Sequence, residues 1–227
     1  MPGGKRSFVA DGKTVTLYPG KAGTAPLVVL NTYTGDGSSV AEAMDAIDTP
    51  DCNLLVVGGL AWSHDMTPWY CPPTSRDDTP CTGGATEYLM LLVDGILPQV
   101  MERLDTAPVF TGIAGYSLAG LFALWSAYNC DAFARVASMS GSLWFPDFVG
   151  YATSHDMAKR PEKLYLSLGN TEARTRNRYL RTVQDNTETL AMFYETQGIN
   201  VAYELNPGNH FKDPALRSAK GIKAILT

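Results

Sequence analysis

Three side chains have the types and the chain order that nucleophilic acyl chemistry requires: Ser117, Glu172 and His210. Ser117 lies in Gly115-Tyr116-Ser117-Leu118-Ala119-Gly120, directly after the short apolar run 109–114 and directly before an apolar, helix-favouring segment that reaches Ala127. That pattern reads as strand, sharp turn, helix. A serine lifted on such a turn is forced into strained backbone angles, and bulky neighbours two positions away would collide with the adjoining strand and helix. Gly115 and Ala119 leave that space, Ala119 adding one methyl group where a glycine is usual. The turn also sets the first N–H groups of the helix beside the hydroxyl, where they meet negative charge developing on a substrate oxygen. A serine after a strand is often only a helix cap; the strand before and the apolar helix after favour the nucleophile.

A serine hydroxyl needs a base, and the base an orienting acid. At an elbow of this kind the partners follow in the order serine, acid, histidine. Of the three histidines, His64 precedes the elbow and His155 precedes the strand whose loop should carry the acid. His210 follows the last strand, in a loop with Gly208 and Asn209, and is the expected base. Glu172, three residues beyond a strand in a Gly-Asn-Thr turn, is the expected acid, and its competing role is a carboxylate at a helix start. Asp147 is the alternative acid. The oxyanion donors are expected at the N–H of Leu118 and, within one residue, of Tyr33 in the loop after the third strand. Trp62, Trp69, Trp144 and Phe145 lie in loops on the same rim and are candidates for a substrate pocket, though any one of them serves equally as packing.

The elements that must position these residues alternate along the chain. An opening hairpin (8–10 and 14–18 around Asp11-Gly12) is followed by a buried strand at 27–30. A helix then runs to about Ile47, capped by Ser38 or Ser39, and a second buried strand covers 53–57. Residues 60–84 form a long loop rich in Trp, Pro and Cys, and a loop of that length in a compact domain is usually functional. A helix is predicted over 86–101 with Pro98 inside it. Strands at 135–139, 163–168 and 200–205 follow the elbow, with helices predicted over 176–197 and 214–226. Strands that alternate with helices, without repeat or linker, predict one domain: a mostly parallel sheet covered on both faces, its working loops at the carboxyl ends of the strands.

Composition narrows the classes. The 227 residues are 45% apolar and 18% charged, with a formal net charge of -5. Mild acidity without a block of Lys and Arg argues against a nucleic-acid or anionic-membrane surface. No stretch has the length of a membrane helix and residues 1–20 lack an apolar signal core, so a cytoplasmic protein is expected. Cys52, Cys71, Cys81 and Cys130 fit no metal-ligand spacing, so neither a metal nor a cofactor is expected; Cys71 and Cys81 flank a Pro-rich loop, where a bridge between them is the alternative to the free thiols expected in a reducing compartment.

The elbow through Phe122, the Ser142-Leu143-Trp144 segment, the turn Leu168-Gly169-Asn170-Thr171-Glu172-Ala173-Arg174 and His210-Phe211 resemble the α/β-hydrolase esterases related to siderophore esterases and the antigen 85 mycolyltransferases. The likeness covers the chain from about residue 26. It implies an α/β-hydrolase fold with a minimal cap, and a serine esterase acting on a small-molecule ester with Ser117 as nucleophile, His210 as base and Glu172 as acid. Some siderophore esterases work with serine and histidine alone. The family's Asp-Gly pair after the third strand is here Asn31-Thr32. A catecholate siderophore, being anionic, implies several cationic contacts, yet the rim loops hold only Arg76 and Arg174. Acyl transfer by the same nucleophile and a non-catalytic binding protein on a hydrolase scaffold are the competing readings.

Overall fold

The computed structural model describes residues 4–76 and 78–227. The central strands of its sheet are buried and carry apolar residues on both faces. In chain order β1 (Arg6–Ala10) and β2 (Lys13–Tyr18) form the expected hairpin, with Val9 opposite Thr14. Then come β3 (Leu27–Asn31), α1 (Ser38–Ala46) and β4 (Asn53–Gly58). Residues 60–84 contain a short helix α2 (Trp62–Asp65) and a two-stranded ribbon of β5 (Tyr70–Cys71) and β6 (Cys81–Thr82). Cys71 and Cys81 face each other across that ribbon as free thiols.

The predicted helix over 86–101 is α3 (Ala85–Met90), a π-helical stretch (Leu91–Ile96) and α4 (Leu97–Met101). Pro98 has no N–H to give to the preceding turn, and the helix widens just before it. The elbow strand β7 (Thr111–Tyr116) and α5 (Leu118–Asn129) follow, then β8 (Arg135–Met139), α6 (Phe148–Ser154) and β9 (Lys163–Gly169). The chain closes with α7 (Val183–Thr196), β10 (Asn200–Asn206) and α8 (Pro214–Leu226).

The eight long strands form one sheet in the order β1-β2-β4-β3-β7-β8-β9-β10, antiparallel at β1, β2 and β4 and parallel from β4 onward. Alternate residues of each central strand point to opposite faces. Leu27 and Val29, Leu55 and Val57, Ile113, and Leu164 and Leu166 pack under α3 to α7. Val28 and Leu30, Leu54 and Val56, Ala114, Ala137 and Met139 pack under α1 and α8. Parallel strands all end on the same edge, so the loops after β3, β7, β8, β9 and β10 open together.

Two boundaries differ from expectation. Neither Ser38 nor Ser39 caps α1: Gly37 does, in the left-handed region, where a Cβ would lie 2.5 Å from a Val56 methyl. Asp36 Oδ1 takes the Ser38 N–H instead, at 3.1 Å. The helix predicted from residue 176 begins four residues later, as a 3-10 turn (Leu180–Thr182) that runs into α7, because Asn177 Oδ1 accepts from the N–H groups of Tyr179 and Leu180 and holds a turn there. Asn177 Nδ2 donates to Thr74 O at 2.8 Å, which ties this turn to the long loop.

Candidate active site

Ser117 is held at φ 60 and ψ -125, a backbone conformation that only a tightly determined surrounding maintains. The surrounding is visible at Gly115, where a Cβ would stand 2.0 Å from Ala119 O, and at Gly120, where one would stand 2.9 Å from Gly141 Cα. Ser117 N–H donates to Met139 O at 3.1 Å, and Ser117 O accepts from Gly120, Leu121 and Ser142 N–H. The hydroxyl is thereby pinned above the carboxyl ends of β7 and β8.

His210 Nε2 lies 3.1 Å from Ser117 Oγ and its Nδ1 lies 2.8 Å from Glu172 Oε2. The loops that bring them together are joined to each other. Asn170 N–H donates to Asn206 O, Thr171 N–H to Gly208 O and Gly208 N–H to Asn170 Oδ1. Gly169 permits this approach: a Cβ there would sit 2.3 Å from Gly208 O. Tyr116 OH donates to His210 O at 2.6 Å and fixes the histidine from the other side.

Glu172 is surrounded by donors. Oε1 accepts from Ser140 OH at 2.7 Å, Gly169 N–H at 2.5 Å and Arg217 Nη1 at 3.1 Å. Arg217 is only 2% exposed and also donates to Ser140 Oγ, Tyr116 OH and Pro207 O. Burial pushes the Glu172 carboxyl up, but the hydrogen bonds from His210, Gly169 and Ser140 outweigh it and the net displacement is downward. The carboxylate is therefore ionised at neutral pH and faces Nδ1 as an acceptor. Ser140, Tyr116 and Arg217 were not among the expected site residues. Arg217 had a signal: it lies on the helical stripe 217, 221, 225, which is otherwise Gly221 and Ile225 and turns to the sheet.

The remaining expectations divide. Asp147 is exposed at the start of α6 and hydrogen-bonds neither histidine nor serine, whereas Glu172 does. His64 Nδ1 is occupied by Thr82 Oγ1 at 2.7 Å, and His155 stacks on Tyr151. Two arms of a cleft meet at Ser117 and His210, one of 1040 Å³ and one of 370 Å³. Trp62 lines both and Trp144 lines the smaller. Trp69 and Phe145 line neither. Trp69 Nε1–H donates to Pro146 O and its ring packs on Phe145 and Tyr151, so these two build the wall behind the cleft.

Residues 57–210 match the model of the family described as "Putative esterase", well over half of the chain. The chain belongs to that family. The matched stretch takes in Ser117, Glu172 and His210; β3, the Tyr33 loop and Arg217 lie outside it. Hydrolysis of carboxylic esters is the chemistry of this esterase. By sequence it matches no curated protein.

Solved structures share the esterase's α/β-hydrolase fold. An IroE-like serine hydrolase from Shewanella oneidensis superposes with a TM-score of 0.78 at 17% identity, over 96% of this chain and 79% of that one. The siderophore hydrolase EstA from Aspergillus nidulans gives 0.72 at 20% identity, over 96% and 91%. The enterobactin esterase FES from Shigella flexneri gives 0.70 at 15% identity, over 99% and 59%. Among the described residues no helix of the esterase is long and apolar enough to cross a membrane, and no cluster of His, Cys, Asp and Glu has the arrangement of a metal site.

Proposed function

We propose that the esterase works through an acyl-enzyme on Ser117. His210 Nε2 takes the hydroxyl proton as Oγ attacks the ester carbonyl, then passes it to the departing alkoxide. Water, deprotonated by the same nitrogen, releases the carboxylic acid. Glu172 keeps the Nδ1 proton in place, so that Nε2 is the basic nitrogen, and stabilises the imidazolium. The observation that carries this reading is the unbroken chain from Ser117 Oγ through His210 to Glu172, at 3.1 and 2.8 Å.

The oxyanion donors in this proposal are the N–H groups of Leu118 and Tyr33. Leu118 opens α5 next to the nucleophile, where the helix dipole favours negative charge. Thr32 N–H is spent on Val57 O at 3.0 Å, which leaves Tyr33 as the first N–H beyond β3 that the cleft can use. Asn31 pairs with Gly115 in the sheet register, so the Tyr33 loop begins beside the elbow.

One arm would take the acyl part and the other the alcohol, with Trp62 and Trp144 as apolar contacts. The domain is proposed to be a single catalytic unit, since one sheet collects all the long strands. We place it in the reducing setting of the cytoplasm because four thiols are free, two of them directly opposite each other.

A fluorophosphonate probe tests the assignment. It is expected to label the wild type at Ser117 and to leave a folded Ser117→Ala protein unlabelled, with hydrolysis of a nitrophenyl ester reduced by about 10³-fold or more. Labelling of Ser117→Ala at wild-type rate would move the nucleophile elsewhere.

A further inference from the structure

The two arms of the cleft hold an unusual balance of charge. No Lys or Arg is among the described residues that line either arm. Arg217, the buried cation behind the site, is engaged by Glu172, and Arg76 and Arg174 are exposed outside both linings. Asp78 is an exposed carboxylate that lines both arms. A hydrogen bond from the Thr74 hydroxyl holds its carboxyl below the ordinary range, so it is charged at neutral pH.

Aromatic faces stand in the same cleft. Tyr33 and Trp62 meet edge to face at 5.3 Å in the larger arm, and Phe211, 84% exposed beside His210, borders both arms. Electron-rich ring faces and an unopposed carboxylate both attract a cation, and a quaternary ammonium most of all, because its weak hydration is lost cheaply. A polyanion meets neither a guanidinium nor an ammonium here.

Resting on the esterase reading above, we propose that the cleft selects its ester by charge. It takes ammonium-bearing esters ahead of neutral ones and neutral ones ahead of anionic ones, with Asp78 as the specificity-determining residue and Tyr33, Trp62 and Phe211 as the faces that receive the cation. Two unit charges about 7 Å apart in a partly solvated cleft change kcat/KM about three- to tenfold.

The test uses three thioacetates of matched size: a choline-type cation, its neutral tert-butyl isostere and a sulfonate. The wild type is expected to rank them cation, neutral, anion, each step about three- to tenfold in kcat/KM, and the steps are expected to shrink at about 0.5 M salt. In Asp78→Asn the cation-to-neutral ratio, taken within that protein, should fall to about twofold or less; in Asp78→Lys the order should invert. A wild type that cleaves the sulfonate as well as the neutral ester, or an Asp78→Asn protein that keeps the wild-type ratio, overturns the inference while ester hydrolysis stands. Folded protein that cleaves none of the three overturns the esterase reading and this inference with it.

Discussion

Replacing Glu172 by Gln separates a histidine that is oriented by its neighbour from one that acts alone. All four partners of the carboxylate are donors: Ser140 OH, Gly169 N–H and Arg217 on Oε1, and His210 Nδ1–H on Oε2. A glutamine has one acceptor to offer them. Its oxygen must take the Oε1 place, where three donors converge, and its NH₂ then points at His210 Nδ1. The ring can accept that hydrogen bond only as the other tautomer, with the proton on Nε2 facing Ser117 Oγ. In that state Nε2 is no base. The expected loss in kcat is about 10³- to 10⁴-fold, or roughly 4 to 5.5 kcal/mol of transition-state stabilisation. The same change leaves Arg217, 2% exposed, without its counter-ion, for a stability loss of about 3 kcal/mol. In a chain of 227 residues that lowers the melting temperature by about 6 to 12 °C. Steady-state hydrolysis of a nitrophenyl ester below the melting point, with thermal denaturation alongside, reads both quantities. Arg217→Met is the companion variant: it should cost comparable stability, yet lose no more than about tenfold in kcat because Glu172 Oε2 still faces Nδ1. A Glu172→Gln protein that melts lower but keeps kcat within about tenfold of wild type would refute the tautomer argument and leave a Ser117–His210 dyad.

Three further outcomes follow from the same geometry. Gly115→Ala drives a methyl group to within 2.0 Å of a backbone oxygen, so the variant should be poorly soluble or melt more than about 10 °C lower; a normal melting temperature would contradict the packing at the elbow. Tyr88→Phe removes the hydrogen bond to Asn31 Oδ1 and leaves that buried amide wholly unpaired, since its Nδ2 has no partner either. A loss of about 1 to 3 kcal/mol in denaturant unfolding is expected, and no change would argue against it. The Glu172 carboxyl is displaced below its ordinary 4.5 in the folded state, so the unfolded chain binds the proton more tightly and stability falls with pH. That contribution is complete above about pH 4.5 and is lost as the pH drops through the folded value; melting curves from about pH 6 to 3 should fall more steeply for the wild type than for Glu172→Gln.

The sheet was legible because its strands are short apolar runs bounded by Gly, Pro and polar residues, a pattern that survives any packing detail. Ser117 and His210 were legible for a related reason, since each sits where a strand ends and the chain order leaves one arrangement. Residues 176–179 are not helical although the sequence predicts it, because their propensity is ordinary and the turn made by the Asn177 side chain is bound to Thr74, 103 positions away. Trp69 and Phe145 were indistinguishable from Trp62 and Trp144 by type and loop position. Which aromatic turns to the cleft depends on partners such as Pro146 O, contributed by another loop. Arg217 was passed over because a charged residue in an amphipathic helix is by default assigned to the solvated side, and only the phase of α8 reveals otherwise.

The Arg217 guanidinium comes from α8 and reaches the acid from the opposite side of the sheet from α5. A ribosome that has released residues up to 213 has already supplied the serine, the acid and the histidine, but neither the guanidinium that holds Glu172 nor Ala219, Ile222 and Ile225, which close that face of the core. Hydrolytic competence should therefore await the docking of α8, and a chain cut at residue 213 should remain inert although its reacting groups are complete.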